Sequence, residues 1–427
     1  MLYKEAIDYL YSLRLFGTKL GLENTFRLAE VARNPQKDLR FVHVAGTNGK
    51  GSTCAMLESI YRAAGLKTGL FTSPHLVSFC ERIEINRQLI PENEVARLVS
   101  ELQPLMKNFP AGAHPTFFEV VTIMALKYFR EQNCDLIIWE TGLGGRLDAT
   151  NIVTPLATVI TNVQFDHQLW LGDSMAKIAF EKAGIIKPGV PVITAAEDPE
   201  ALTVIERIAR ERNAPLTVIS RTTRQSPPLS KVKLPLVGEH QRLNAVVALD
   251  TVKVLQPAIP VSDSAVISGL TNVFWPGRLQ LITTNSGQKI LLDGAHNAAG
   301  AEALRQALEE LFPEKPDALI FGMLGDKDCQ AICSIIAPLS DNILVCPVDS
   351  KRTAAPELLA KLCLTANPAA RVVTCGSVSD ALQQVSEAHF VLLTGSLYLV
   401  GEALERLGGA QSIGERGLNE WSAVSTH

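Results

Sequence analysis

The sequence predicts an α/β protein with two bodies, a parallel sheet covered by helices followed by a smaller sheet of the same kind. Three observations lead there. Short apolar runs rich in β-branched residues alternate with longer helical patterns, as in parallel sheets with helices on both faces. The alternation pauses at the polar stretch Thr283-Thr284-Asn285-Ser286-Gly287, just after Trp275-Pro276-Gly277, and then resumes. A chain of 427 residues is also too long for one ordinary core. The boundary is placed between residues 282 and 283, within about ten residues, giving bodies of 1–282 and 283–427.

Taken in order, first-body strands are expected at 41–44, 69–72, 136–139, 157–161, 192–194 and 216–219. Before the third of these, the run from Phe117 to Leu126 is apolar on nearly every side and reads as a buried helix. Second-body strands are expected at 290–292, 318–321, 343–346, 371–374 and 391–393. The last segment, 408–427, has weak periodicity and is expected to fray.

Composition narrows the class. Hydrophobic residues at 47% and charged residues at 20% describe a well-packed soluble protein. A net charge of -4 gives no case for nucleic-acid binding and leaves recognition of anions to local basic residues. The N-terminus carries Glu5 and Asp8 where a signal peptide would carry bases, and no apolar run approaches the ~18 residues of a membrane span. Of the eight cysteines only Cys329 and Cys333 are close in sequence, with no second pair to complete a zinc set. They are expected to be reduced thiols of a cytoplasmic protein, here expected to be a monomer.

The most specific signal is Gly46-Thr47-Asn48-Gly49-Lys50-Gly51-Ser52, directly after the first strand and before a helical run. Glycines let backbone N–H groups close round phosphate oxygens, and the helix N-terminus adds positive potential. Lys50 supplies a point charge for the distal phosphates and Ser52 a hydroxyl for magnesium. Val44 stands where the common P-loop pattern has its first glycine, and Gly51 separates Lys50 from Ser52. The stretch reads as an ATP site. Glu140 ends another strand, where ligands of an open parallel sheet collect, and is a reasonable magnesium ligand.

This loop resembles that of the Mur ligase superfamily, ATP-dependent enzymes that join an amino acid to a carboxylate. Further segments narrow the resemblance to folylpolyglutamate synthase and dihydrofolate synthase. They are Gly142-Leu143-Gly144-Gly145-Arg146-Leu147-Asp148-Ala149, Phe165-Asp166-His167-Gln168-Leu169-Trp170-Leu171-Gly172, Pro276-Gly277-Arg278 and Asp293-Gly294-Ala295-His296-Asn297. The matching segments run from Leu20 to about Ser396. The resemblance implies the Mur ligase architecture, a P-loop ATPase-like sheet domain followed by a Rossmann-like one.

The resemblance also implies roles. Ser73 and His167 join Ser52 and Glu140 on magnesium, and Lys182 is the lysine that becomes N-carboxylated and adds a carboxylate ligand. Asn244, Arg278 and Asp293 join Thr47, Asn48, Gly49, Lys50 and Gly51 at ATP. His296, with Asn297, faces the nucleotide and the incoming amino acid, so Lys50, Lys182, Arg278 and His296 are the catalytic set. Lys327 and Asp328 match without an assigned role.

The acceptor pocket is expected from Lys19, Leu20, Gly21 and Leu22, from Thr116, Phe117, Phe118 and Glu119, and from Leu147, Asp148 and Ala149. One of the two phenylalanines is expected to stack on a flat heterocycle and the other to be core. Lys19 and Thr25 differ from some bacterial relatives, which leaves the choice between dihydropteroate and reduced folate open.

The implied reaction activates the acceptor carboxylate with MgATP as an acyl phosphate, which the amine of L-glutamate then attacks. Closure about a hinge near 283–287 would exclude water. Cell-wall ligases carry an additional N-terminal domain, and the 45 residues before the loop cannot form one. Another Mur-type amino-acid ligase and a P-loop ATPase are the alternatives.

Overall fold

The structure, a computed structural model, describes residues 1–17, 21–107, 109–110, 113–219, 229–408, 415 and 417. The first sheet contains β1 (Phe41–Ala45), β2 (Thr68–Phe71), β3 (Ile83–Ile85), β4 (Gln88–Leu89), β5 (Leu136–Glu140), β6 (Ala157–Ile160), β7 (Val192–Thr194) and β8 (Leu216–Val218), in the order β4-β3-β2-β5-β1-β6-β7-β8. The second contains β9 (Gln280–Thr283), β10 (Lys289–Asp293), β11 (Ala318–Phe321), β12 (Asn342–Val345), β13 (Arg371–Thr374) and β14 (Phe390–Thr394), in the order β13-β12-β11-β14-β10-β9.

Every strand expected from the sequence is present, with ends shifted by a residue or so. Three short strands are additional and all pair antiparallel; β4 and β9 are edges, and β3 lies between β4 and β2. Residues Asn86 and Arg87 join β3 to β4 with φ of 51° and 65°, the left-handed pair that a two-residue hairpin requires.

The third addition, β9, moves the boundary between the bodies. It pairs with β10, so the polar turn after it closes a hairpin inside the second sheet. The passage between sheets is instead 272–279. Arg87 holds that stretch through Nη2 to the Phe274 carbonyl at 3.3 Å, with its guanidinium 5.3 Å from the Trp275 ring. Residues 283–287, where the sequence suggested a hinge, therefore lie inside the second sheet and not between the bodies.

Central strands carry apolar side chains on both faces and are fully buried, as strands under helices on both sides must be. Trp139 on β5 stacks on Phe71 at 4.4 Å and donates Nε1–H to the Thr150 carbonyl at 3.0 Å. The helix Phe117–Glu131 is buried along most of its length, as its apolar periodicity requires. Thr116 and Glu119 start it with a reciprocal capping box.

Register matters for the site. Val44 pairs with Glu140 and Ala45 with Ile160, so β1, β5 and β6 end level with one another. No helix among the described residues is long and apolar enough to cross a membrane. All eight cysteines are free thiols. The fraying expected at the C-terminus falls almost wholly outside the described residues.

Candidate active site between the two sheets

The level strand ends open into a cleft of about 810 Å³ lined by residues of both bodies. The phosphate loop forms its floor. Gly46 has φ of 151°, and a Cβ there would lie 1.9 Å from the Thr161 hydroxyl. Gly49 has φ of 83°, and its Cβ would lie 2.4 Å from Asn244 Oδ1, so the loop rests on the helix carrying Asn244. Asn162 holds the loop from β6, accepting from Thr47 N at 3.0 Å on its carbonyl and from Asn48 N at 2.8 Å on its side chain.

Lys50 opens the helix Lys50–Ala63, and its ammonium folds back onto the carbonyls of Gly46 and Thr47 at 3.1 and 3.2 Å. Ser52 lies buried in the first turn of the same helix. An anion arriving there meets backbone N–H groups, a helix N-terminus and the lysine together.

Glu140, the last residue of β5, is 3% exposed and accepts from Ser73 N at 3.2 Å. Burial pushes its carboxyl up to about 7, with Lys50 the main opposing influence. Lys182 sits in the last turn of the helix Met175–Ala183, 3% exposed, and donates to the Gly46 carbonyl at 2.9 Å. Burial, then the charge of Lys50, push its ammonium down to about 7. His167 adopts φ of 50° before the short helix Gln168–Leu171, and burial pushes its imidazole down to about 3.

No three His, Cys, Asp or Glu side chains gather into a metal set among the described residues. The predicted set instead mixes two hydroxyls, one acid, one imidazole and one lysine, all lining this cleft. A buried acid whose charge is disfavoured, in a cleft that two serines also line, suits a hard divalent cation, so the residues fit magnesium.

The second body contributes the turn after β10. Asp293 uses both carboxylate oxygens on backbone, accepting from Leu279 N at 3.0 Å and Ala295 N at 2.9 Å. It thereby ties the inter-sheet passage to the turn. Arg278, half-buried, lines the cleft beside it. His296 donates Nδ1–H to the Gly294 carbonyl at 2.8 Å, which turns the Nε2 lone pair toward Asp166 at 3.7 Å. Burial pushes this imidazole down to about 4.

Asp166 was named in the sequence only as the neighbour of His167, yet it is the hub between the bodies. Its oxygens face Lys327 Nζ at 2.5 Å and accept from Asn297 Nδ2 at 3.2 Å and from His167 N at 2.8 Å. Although burial opposes ionisation, its carboxyl is held below the usual range. With both nearby imidazoles pushed toward neutrality, Lys327 is the cation that stabilises it. Asn297 and Asn48 also exchange amide hydrogen bonds at 3.1 and 3.0 Å, joining the turn to the phosphate loop.

The acceptor residues separate into two groups. Both phenylalanines line the cleft, but Phe117 is buried against Phe79 at 6.3 Å whereas Phe118 is half-buried, so Phe118 is the candidate for stacking. Glu119 accepts from Thr116 N at 2.7 Å and from the Thr25 hydroxyl at 3.2 Å. Asp148 accepts from Leu143 N at 2.8 Å and Thr150 N at 3.0 Å, shaping the glycine-rich loop that presents Leu147 and Ala149. Gly21 lines the cleft, whereas Leu22 packs against the first core. Lys19 and Leu20 lie outside the described residues.

Both bodies match known protein families. The model of the Mur ligase middle domain matches residues 44–252, and that of the Mur ligase glutamate ligase domain matches 277–397. The dihydrofolate synthase/folylpolyglutamate synthase of Bacillus subtilis is 34% identical over 95% of this chain and 99% of its own length. The chain belongs to this family of Mur ligases. The crystal structure of folylpolyglutamate synthase from Thermotoga maritima superposes with a TM-score of 0.82 at 33% identity, covering 97% of this chain and 98% of that one. The Escherichia coli FolC solved with DHPP and ADP gives 0.84 at 31% identity, covering 96% and 98%.

Within this Mur ligase fold, Asp166 and Lys327 are the functional candidates that sequence reasoning left without roles. Their signal is an acid in the first body and a base in the second, each beside a recognised motif. Only the fold sets them face to face.

Proposed function

We propose that the chain is an ATP-dependent carboxylate–amine ligase that adds L-glutamate to dihydropteroate, to reduced folate glutamates, or to both. The observation that carries this reading is convergence in one cleft. A phosphate loop, the buried Glu140 and Lys182, and residues 293–296 of the second sheet's turn all line it. A hydrolytic switch would have no use for the last of these.

In this reading the acceptor lies over Phe118, with its carboxylate toward the phosphate loop. Lys50 leaves the carbonyls of Gly46 and Thr47 for the phosphates of ATP, and Arg278 offers a fixed fork of donors to the oxygens where charge grows. The carboxylate becomes an acyl phosphate with release of ADP, and the glutamate amine displaces phosphate to form the amide. His296 Nε2 and the Asp166 carboxylate are paired acceptors on the side from which an ammonium would arrive. The Asp166–Lys327 and Asn48–Asn297 contacts hold the bodies together and keep water from the acyl phosphate.

Magnesium held by Ser52, Ser73, Glu140, His167 and Lys182 would neutralise phosphate charge. As a neutral amine, Lys182 adds carbon dioxide, losing a proton and becoming a carbamate, so a cation is exchanged for a metal-binding anion. The protein is further proposed to act as a cytoplasmic monomer on small molecules only, in keeping with its reduced thiols and near-neutral charge.

The test is phosphate release from MgATP with L-glutamate, comparing dihydropteroate, tetrahydrofolate and no acceptor. Release that needs glutamate and either acceptor supports the ligase, and the pattern assigns one activity or both. Release indifferent to both would refute it in favour of an ATPase or another Mur-type ligase.

A further inference from the structure

A buried polar relay joins the C-terminal tail to the acceptor side of the cleft. Glu415 lies seven residues beyond the helix Leu397–Gly408 of the second body, yet it is 3% exposed and packed into the first. Its Oε2 accepts from Phe79 N at 2.6 Å, from the Tyr3 hydroxyl at 3.1 Å and from the Ser78 hydroxyl at 3.1 Å. Three donors on one carboxylate oxygen make a strong charge-assisted anchor. It fixes the segment immediately after the cleft residues Ser73 and Pro74.

The Glu415 carbonyl meets His75 Nε2 at 3.0 Å, and Arg82 Nε donates to His75 Nδ1 at 2.9 Å. A guanidinium is always protonated and can only donate, so Nδ1 carries the lone pair. Nε2 therefore carries the proton and donates to the Glu415 carbonyl. The imidazole is locked in one tautomer between the tail and the arginine. Arg82 lines the cleft with its guanidinium 5.4 Å from the Phe117 ring, near Ser73 and Glu140. A buried arginine there, in the cleft that Phe118 also lines, suits an anionic acceptor.

We propose that Glu415 and His75 are positioning residues that hold Arg82 for a carboxylate of the acceptor, so that the tail of the glutamate-ligase body completes the acceptor site of the other body. This deepens the ligase reading and rests on it. Glutamate-dependent phosphate release by the unaltered protein tests that reading first. The relay is then tested in Glu415→Ala, Glu415→Gln, His75→Ala and Arg82→Lys by measuring KM for acceptor and for ATP together with the unfolding midpoint.

Disturbing the single Arg82–His75 hydrogen bond, directly or by freeing the Glu415 anchor behind it, should raise the acceptor KM about tenfold in Glu415→Ala, His75→Ala and Arg82→Lys, with the ATP KM within twofold. Glu415→Gln keeps an acceptor oxygen for Phe79 N and should recover most of the loss. An acceptor KM within twofold of the parent in Glu415→Ala overturns the relay. So does a parallel change in both KM values with a lowered midpoint, which marks a merely structural tail. Neither outcome would touch the glutamate dependence of the parent enzyme.

Discussion

Replacing Lys327 by methionine tests whether the two bodies must be latched for turnover. The Lys327 and Asp166 side chains are 8% and 7% exposed, and their charged atoms are 2.5 Å apart. Removing one partner of a buried pair costs about 3–5 kcal/mol, because the other charge stays buried without its counterion. Asp166 keeps the His167 and Asn297 N–H donors, which places the cost near the lower end. The protein can escape that cost by opening the cleft and returning Asp166 to water. The penalty then falls on closure and not on folding, since each sheet has its own core. At 1.4 kcal/mol per factor of ten, about 3 kcal/mol is a loss on the order of a hundredfold in kcat/KM.

The assay is glutamate-dependent phosphate release for Lys327→Met, Asp166→Asn and the double variant, with unfolding midpoints alongside. The double variant should lose far less than the summed single losses, because removing both partners removes the unpaired charge. A Lys327→Met enzyme within threefold of the parent, or strictly additive losses, would show that the pair does not govern turnover.

Three further outcomes follow from the same geometry. Glu140 is raised from 4.5 to about 7, so between those values the folded state binds more protons than the unfolded, and stability falls as pH rises. Without divalent cation, Glu140→Gln should therefore be more stable than the parent at pH 8 by on the order of 3 kcal/mol and equal it near pH 4; equal unfolding midpoints at pH 8 would contradict the buried-charge account. Lys182 is lowered from 10.5 to about 7, which leaves its amine neutral often enough to add carbon dioxide; intact mass under bicarbonate should show a carbamate absent in Lys182→Ala, and full activity of that variant would refute its role. Phe118→Ala should raise the acceptor KM with little change in midpoint, whereas Phe117→Ala should cost about 3–5 kcal/mol of stability; the reverse pattern would exchange their assignments.

Much of the first body was legible because its strands are fully buried apolar runs, such as 136–139, separated by unambiguous loops. The hairpin strands β3 and β4 have three and two residues and no buried alternation to announce them. β9 was missed for a related reason. Its Gln280-Leu281-Ile282-Thr283 is half-exposed, and the polar turn after it reads equally well as a linker or a hairpin. In the site, Lys50, Glu140 and Lys182 stood in recognisable motifs at strand or helix ends. What no local pattern encodes is contact between residues 161 positions apart, as with Asp166 and Lys327. For Glu119, Asp148 and Asp293 the residue was legible but its work was not, since their oxygens accept from nearby backbone N–H and threonine hydroxyl groups.

The hairpin of β9 and β10 makes the chain divisible. Its turn at 284–288 carries exposed residues, and β9 belongs covalently to the first body while pairing only with the second. Cut within that turn, the N-terminal fragment would end in a free strand, and the C-terminal fragment would offer the bare edge of β10. Two separately produced halves could then find one another by strand addition, with the tail at Glu415 as a second point of attachment. The enzyme would become a split pair whose activity reports their reunion.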